Sequence, residues 1–186
     1  MKIWFGGFIL KFCNLRENLD QIIKSGPVQK ITLHQVNENF FELTKEGIWL
    51  VDGGIELTFP EGTISAAFHS SKQYLIIENK PIKNIYTDNN ISVLENDNIF
   101  ILNQYLGKKI KNSSLKRIDF DAVVDYTMQT SKENHIVEMI LEFVDNSILQ
   151  IALVSYDLEE HKTPENYSYD ITSDVLISTK EILSIK

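Results

Sequence analysis

The sequence predicts an α+β fold, built mainly from antiparallel β-sheet with about two helices. Three observations carry this. Two stretches, Ile55–Phe68 and Met139–Leu153, place strand-patterned apolar residues on either side of a turn, the pattern of hairpins with a buried face. Only Asn14–Ser25 and Asn98–Leu106 hold apolar residues at helical spacing. Strands and helices do not alternate regularly, which argues against a doubly wound parallel sheet.

Taken in order, Met1–Cys13 reads as a first strand, with Gly6-Gly7 as a bulge or bend. Its apolar run is short, Lys11 interrupts it and no small-residue cleavage site follows, so it does not read as a signal peptide. Asn14 can cap the first helix with Glu17 three residues on, and Leu15, Leu19, Ile22 and Ile23 form its apolar stripe. Gly26-Pro27 ends it. Val28–Leu43 reads as one or two strands with a turn at Asn37–Asn39, and Ile48–Val51 as a short strand. Asp52-Gly53-Gly54 then turns the chain into the first hairpin. Gln73–Glu78 and Ile82–Tyr86 are expected to be strands, and Thr87–Asn90 a polar loop.

Asn98–Leu106 is the second helix, with Ile99, Leu102 and Leu106 on one side. In Ser113–Met128, Phe120, Ala122, Val124, Tyr126 and Met128 share one strand face and Asp119, Asp121 and Asp125 the other. In the central hairpin, Val137, Met139, Leu141 and Phe143 alternate inward, and Asp145-Asn146 turns the chain. Ile148–Val154 is apolar on both faces, as in a central strand. Glu159–Asn166 reads as a loop, and Tyr167–Ile177 and Glu181–Ile185 as closing strands. The two hairpins also share a pattern: Leu57, Phe59, Glu61, Gly62 and Ile64 match Leu141, Phe143, Asp145, Asn146 and Ile148 at constant offset. A duplicated half-domain would explain this; so would ordinary hairpin turn chemistry.

A chain of 186 residues is expected to form a single domain, 1–186, with a boundary near 87–97 the one place where two lobes could divide. The net charge of −8 argues against a general nucleic-acid or anionic-membrane binder. The single cysteine, Cys13, excludes an internal disulfide and a cysteine-based zinc site. No stretch is long and apolar enough to span a membrane as a helix, and the cytoplasm is the expected compartment.

Catalytic and metal motifs are absent from the sequence, and no cofactor is expected. His34, His69, His135 and His161 fall at no metal-binding spacing, and His34 and His69 read as partly exposed strand residues. Cys13 lies before a helix start, which can activate a thiol, but a free cysteine is more often a buried apolar residue. The Gly6-Gly7 and Gly53-Gly54 pairs match no phosphate-binding fingerprint. Asp119 and Asp121 are close enough along a strand to hold a cation, but no calcium loop surrounds them, and a solvated face is the plainer reading.

Charge distribution says more. Residues 1–93 hold nine Lys and Arg against ten Asp and Glu, whereas 94–186 hold nine against sixteen. Within the second half, Lys108, Lys109, Lys111, Lys116 and Arg117 form a short basic cluster, read as a solvated loop. The acidic residues after it include Asp119, Asp121, Asp125, Asp157, Glu159 and Glu160, with Tyr156, Tyr167 and Tyr169 close in sequence. An acidic face is often a solubility device. It is also a docking surface for a basic protein, where complementary charge steers association and tyrosines anchor it.

In style, the runs ILEFVDNSILQIAL, YLGKKI and DVLISTKEILSIK, within residues 48–186, are similar to those of immunity proteins of bacterial polymorphic toxins. That class-level resemblance implies a non-enzymatic protein that covers the active site of a cognate toxin with acidic residues. The expected partner is a basic toxin, met through Asp119, Asp121, Asp125, Tyr156, Asp157, Glu159 and Glu160. A β-rich small-ligand-binding or structural domain is the alternative. An enzyme ranks third and would need His69, His135 or Cys13 to converge with carboxylates.

Overall fold

Antiparallel pairing arranges the strands into two sheets, and the fold is α+β with sheet dominant. The computed structural model describes residues 16–36, 41–43, 46–68, 74–86, 91–94, 99–124, 129–157, 164–170 and 174–183. The first sheet has the order β6-β5-β4-β1-β7, from β1 (Lys30–Gln35), β4 (Gly54–Phe59), β5 (Gly62–Phe68), β6 (Leu75–Glu78) and β7 (Ser92–Val93). The second has the order β2-β3-β12-β10-β9-β8. Its strands are β2 (Phe41–Leu43), β3 (Ile48–Val51), β8 (Ile110–Val124), β9 (Gln129–Phe143), β10 (Ile148–Asp157) and β12 (Asp174–Ser178), with β11 (Glu165–Tyr169) also paired to β10.

Period-two patterning explains where the core lies. Ile31, Leu33, Ile55, Leu57, Phe59 and Ile64 of the first sheet join Trp49, Met139, Leu141, Ile151, Leu153 and Ile177 of the second in one buried cluster. The helix α1 (residues 16–24) adds Leu19, Ile22 and Ile23 to it, as its apolar stripe requires. Ser25 closes that helix by donating its hydroxyl to the Ile22 carbonyl at 2.6 Å. The second helix is 3-10, Phe100–Tyr105, and it buries Leu102 and Tyr105 in the same cluster. Residues between β3 and β4 carry the chain from one sheet to the other. Gly54 makes this corner with φ 121°, a backbone angle that side chains rarely tolerate.

The intervening residues build a smaller cluster on each sheet's outer face. Ala67, Ile76, Ile82 and Ile85 form one, on the first sheet. Ile48, Leu50, Ala152, Val154, Leu176 and Leu183 form the other, on the second sheet.

Several sequence expectations need correction. Ile82–Tyr86 is not a strand; Ile82–Asn84 is a 3-10 turn. Pro81 has no N–H to give a ladder, the Ile82 N–H is taken by the Glu56 carboxylate at 2.8 Å, and Ile82 and Ile85 bury together. Tyr167–Ile177 is not one strand. Val154 pairs with Tyr169 of β11 on one edge and Asp174 of β12 on the other, so the two segments are separate strands on opposite edges of β10. Residues 181–183 have no strand pairing, and 184–186 lie outside the described residues, as do the first strand, the Asn14 cap and the Asn37–Asn39 turn.

The two hairpins differ in register. Leu57 pairs with Ile64 around a Pro60-Glu61 turn, whereas Leu141 pairs with Leu149. The second turn is longer: the Asn146 N–H donates to the Phe143 carbonyl, the Phe143 N–H donates to the Ser147 carbonyl, and Asn146 takes φ 63°. The shared residue pattern is therefore not a shared ladder.

The longest ladder is β8 with β9. β10 pairs with β9 only from Glu138 to Glu142, so from Arg117–Ile136 to Val124–Gln129 the two strands continue as a ribbon beyond β10. A bulge, with Val137 as the extra residue, marks the point of departure.

Candidate functional site

Where β9 leaves β10, β11 takes its place along the same edge. This brings Tyr156 of β10 and Tyr167 and Tyr169 of β11 onto the outer face of the second sheet, packed against its small apolar cluster. All three rings are half-buried. Each hydroxyl already donates within the chain: Tyr156 to Asp174 Oδ2 at 2.7 Å, Tyr167 to the Pro164 carbonyl at 2.9 Å, and Tyr169 to Glu138 Oε1 at 3.0 Å. The rings of Tyr156 and Tyr167 lie 6.3 Å apart, tilted at 55°. Burial and the neighbouring carboxylates push the Tyr156 and Tyr169 hydroxyls well above their ordinary range, so both stay protonated as donors.

Two carboxylates touch these rings, Asp174 at the Tyr156 hydroxyl and Glu138 at the Tyr169 hydroxyl. Asp157, Glu165, Asp170 and Asp174 belong to this stretch, and among the described residues of 154–178 there is no lysine or arginine. Asp157 accepts from the Asn166 side chain at 3.0 Å, which ties the end of β10 to β11. Asn166 holds φ 55°, an angle asparagine tolerates better than most residues.

Beneath the tyrosines lies a buried polar network. Glu138 is 5% exposed and Gln150 is 0% exposed. Gln150 Nε2 donates to Glu138 Oε1 at 2.5 Å, and Gln150 Oε1 accepts from the Ile182 N–H at 2.8 Å. The network therefore links β9, β10, β11 and the segment after β12. Burial raises the Glu138 pKa, against hydrogen bonds from Gln150 and Tyr169 and the charge of Lys116, which lower it. Lys116 caps the arrangement with its ammonium 4.0 Å from the centre of the Tyr169 ring.

The residues expected to meet a partner divide between two places. Tyr156 lies on this face, while Asp157, the next residue, ends β10 and is hydrogen-bonded to Asn166 of β11. Asp119 lies on the ribbon, exposed, and accepts from Asn134 Nδ2 at 2.6 Å. The same Asn134 accepts from Arg117 through its side chain and, at 2.7 Å, through its carbonyl. Asp121 is on β8 opposite Lys132. Asp125, Glu159 and Glu160 lie outside the described residues, as do Cys13, His69 and His161. Sequence reading missed Glu138 and Gln150. They lie diagonally on neighbouring strands, Glu138 opposite Ala152 and Gln150 opposite Ile140, and nothing in the sequence pattern marks them as a pair.

His34 departs from its expected partial exposure: it is 7% exposed, beneath the outer face of the first sheet. Neither ring nitrogen has a hydrogen-bond partner, and Nε2 stands 3.8 Å from Glu56 Oε2. Burial lowers its pKa, partly offset by Glu56. His135 stacks on Tyr74 with centroids 5.2 Å apart and meets Glu133 Oε2 at 2.9 Å. A pocket lined by Arg16, Leu19, Asp20, Ser113, Leu115 and Met139 has a volume of about 50 Å³, room for a few waters and far below that of an organic-ligand site. Among the described residues no group of three or more His, Cys, Asp or Glu is placed to hold a metal ion. No described helix is long and apolar enough to cross a membrane.

Comparison with protein-family models, curated proteins and solved structures finds no match to this chain.

Proposed function

We propose that this chain is a non-enzymatic cytoplasmic binding protein that neutralises a basic toxin, docking it on the outer face of β10 and β11. The observation that carries the reading is the tyrosine set Tyr156, Tyr167 and Tyr169, fixed by intrachain hydrogen bonds, one of them to Asp174, on a stretch of chain that also holds Asp157, Glu165 and Asp170. Rings already immobilised lose little freedom on binding, and half-buried tyrosines offer apolar area with a polar rim. Carboxylates at that rim steer a basic partner and fix its register. Asp119 and Asp121 lie apart from this face, on the ribbon with Arg117 and Lys132, and are not needed for this reading. Blocking a basic active site needs a shaped acidic surface and no catalytic group of its own.

The test is association with the captured partner as ionic strength is varied. Reversing Asp157 and Glu165 to lysine is expected to slow association at low salt and to flatten its salt dependence. An unchanged on-rate with an unchanged salt slope would remove this face from the interface.

A further inference from the structure

The free edge of β8 is unusual for its length. β8 is the terminal strand of the second sheet, and among the described residues no strand pairs with its outer edge. Edge strands are ordinarily kept short, broken by proline, bent by bulges or studded with charges, because their unpaired N–H and C=O groups invite another chain, and of these devices β8 beyond Lys111 has only the charges. Ile110–Val124 contains neither proline nor glycine. The extra residue of its first register shift is Lys111, at the start, and that of the second is Val137, on β9. From 112 to 124, then, β8 runs without a bulge of its own, about 40 Å of extended chain at strand rise. Asn112, Ser114 and Asp119 along it are exposed.

The charges on this strand are polar in order. Lys111, Lys116 and Arg117 come first; Asp119 and Asp121 follow. Such a strand is complementary to an antiparallel copy of itself. With the two-fold axis at Ile118, Arg117 of each copy lies directly opposite Asp119 of the other. Residues directly opposite in an antiparallel pair share a face with side chains in reach. Asn134 accepts from Arg117 and donates to Asp119, which holds both charged groups in position along the ribbon. No other described strand edge has this self-complementary order: β6 and β2 are short, and β7 spans only Ser92–Val93.

We propose that β8 is a dimerisation edge, to which a second copy of the chain adds its own β8 antiparallel, joining the two second sheets into one. The contact is isologous and closes on itself, so it makes a dimer and no fibre. It uses the ribbon edge and leaves the tyrosine face of β10 and β11 open.

The experiment measures the mass of the full chain by sedimentation across the micromolar range. The wild type is expected to reach twice the mass of one chain. Arg117→Asp and Asp119→Arg each turn two attractive cross-strand pairs into repulsive ones, and each alone is expected to weaken the dimer by about thirtyfold. Mixing the two single variants restores opposite charges at every position, so the mixture is expected to recover the doubled mass, a result that misfolding could not give. Independently, Ile118→Cys in a Cys13→Ser background is expected to form an intermolecular disulfide under mild oxidation, since the axis places each Ile118 against its copy. A wild type of single-chain mass throughout would overturn the proposal, as would single variants that dimerise like the wild type or a mixture that stays monomeric.

Discussion

Replacing Glu138 tests how the candidate face is held together. Its Oε1 accepts from Gln150 at 2.5 Å and from Tyr169 at 3.0 Å. In Glu138→Ala, Gln150 Nε2, on a residue 0% exposed, keeps only the Leu183 carbonyl at 3.5 Å. The Tyr169 hydroxyl can turn to water because its ring is half-buried. One nearly orphaned buried donor costs about 1–3 kcal/mol and the lost side-chain methylenes add about 1, for a total of about 2–4 kcal/mol. In a chain of this length that lowers Tm by about 5–12 °C. Glu138→Gln retains an acceptor for both donors and carries no charge, so it should match or exceed the wild type at neutral pH.

The pH dependence separates the charge from the hydrogen bonds. Burial holds the Glu138 pKa above the ordinary range. Below the ordinary pKa, near 4.3, the carboxyl is protonated in both folded and unfolded chains, and the wild type keeps its full stability. As pH rises the unfolded chain ionises first, so the wild type loses stability relative to Glu138→Gln. The loss continues until pH passes the folded-state pKa and is constant above it. Urea unfolding of the wild type and both variants from about pH 4 to about pH 8 measures this. A gap between wild type and Glu138→Gln that does not widen with pH, or a Glu138→Ala as stable as the wild type, would refute the reasoning.

Two further outcomes follow from the packing and the turn. Trp49 is 0% exposed and lies opposite Ile177 in the second sheet, so Trp49→Ala should cost about 3–5 kcal/mol in denaturant unfolding. A loss under 1 kcal/mol would mean that the two sheets do not share the core through this ring. Asn146 sits at φ 63° in the β9–β10 turn, so Asn146→Val should cost about 1–2 kcal/mol while Asn146→Gly stays within a few tenths. Equal costs for the two would show that its side-chain contact with Lys111, and not its backbone angle, is what matters.

The strands of the hairpins were legible because period-two patterning is local: Leu141 and Phe143 point one way whatever lies beyond them. Ile82 was not, because apolar residues in a short run fit a strand and a buried turn equally, and the deciding contact comes from Glu56 on a distant strand. Sheet membership was hidden for the same reason. Nothing local to Ile48–Val51 says that it pairs with Val175–Ser178, or that the chain changes sheets at Gly54. Of the candidate face, Tyr156, Tyr167 and Tyr169 could be seen as neighbours in sequence, but their sharing one face depends on β11 filling the edge that β9 vacates. Glu138 and Gln150 carried no signal, since a polar residue on a strand usually means an exposed face.

The measurement that bears most directly on the proposed docking face is capture from the native cell lysate at low salt by two baits, followed by cross-linking and mass spectrometry of the complex. One bait is the wild type; the other carries Tyr167→Ala, Asp157→Lys and Glu165→Lys. The expected result is one basic protein held by the wild type, released as salt is raised, cross-linked to 154–170, inhibited in its own activity while bound, and lost from the variant. Capture of the same proteins by both baits, or cross-links that avoid β10 and β11, would contradict the account.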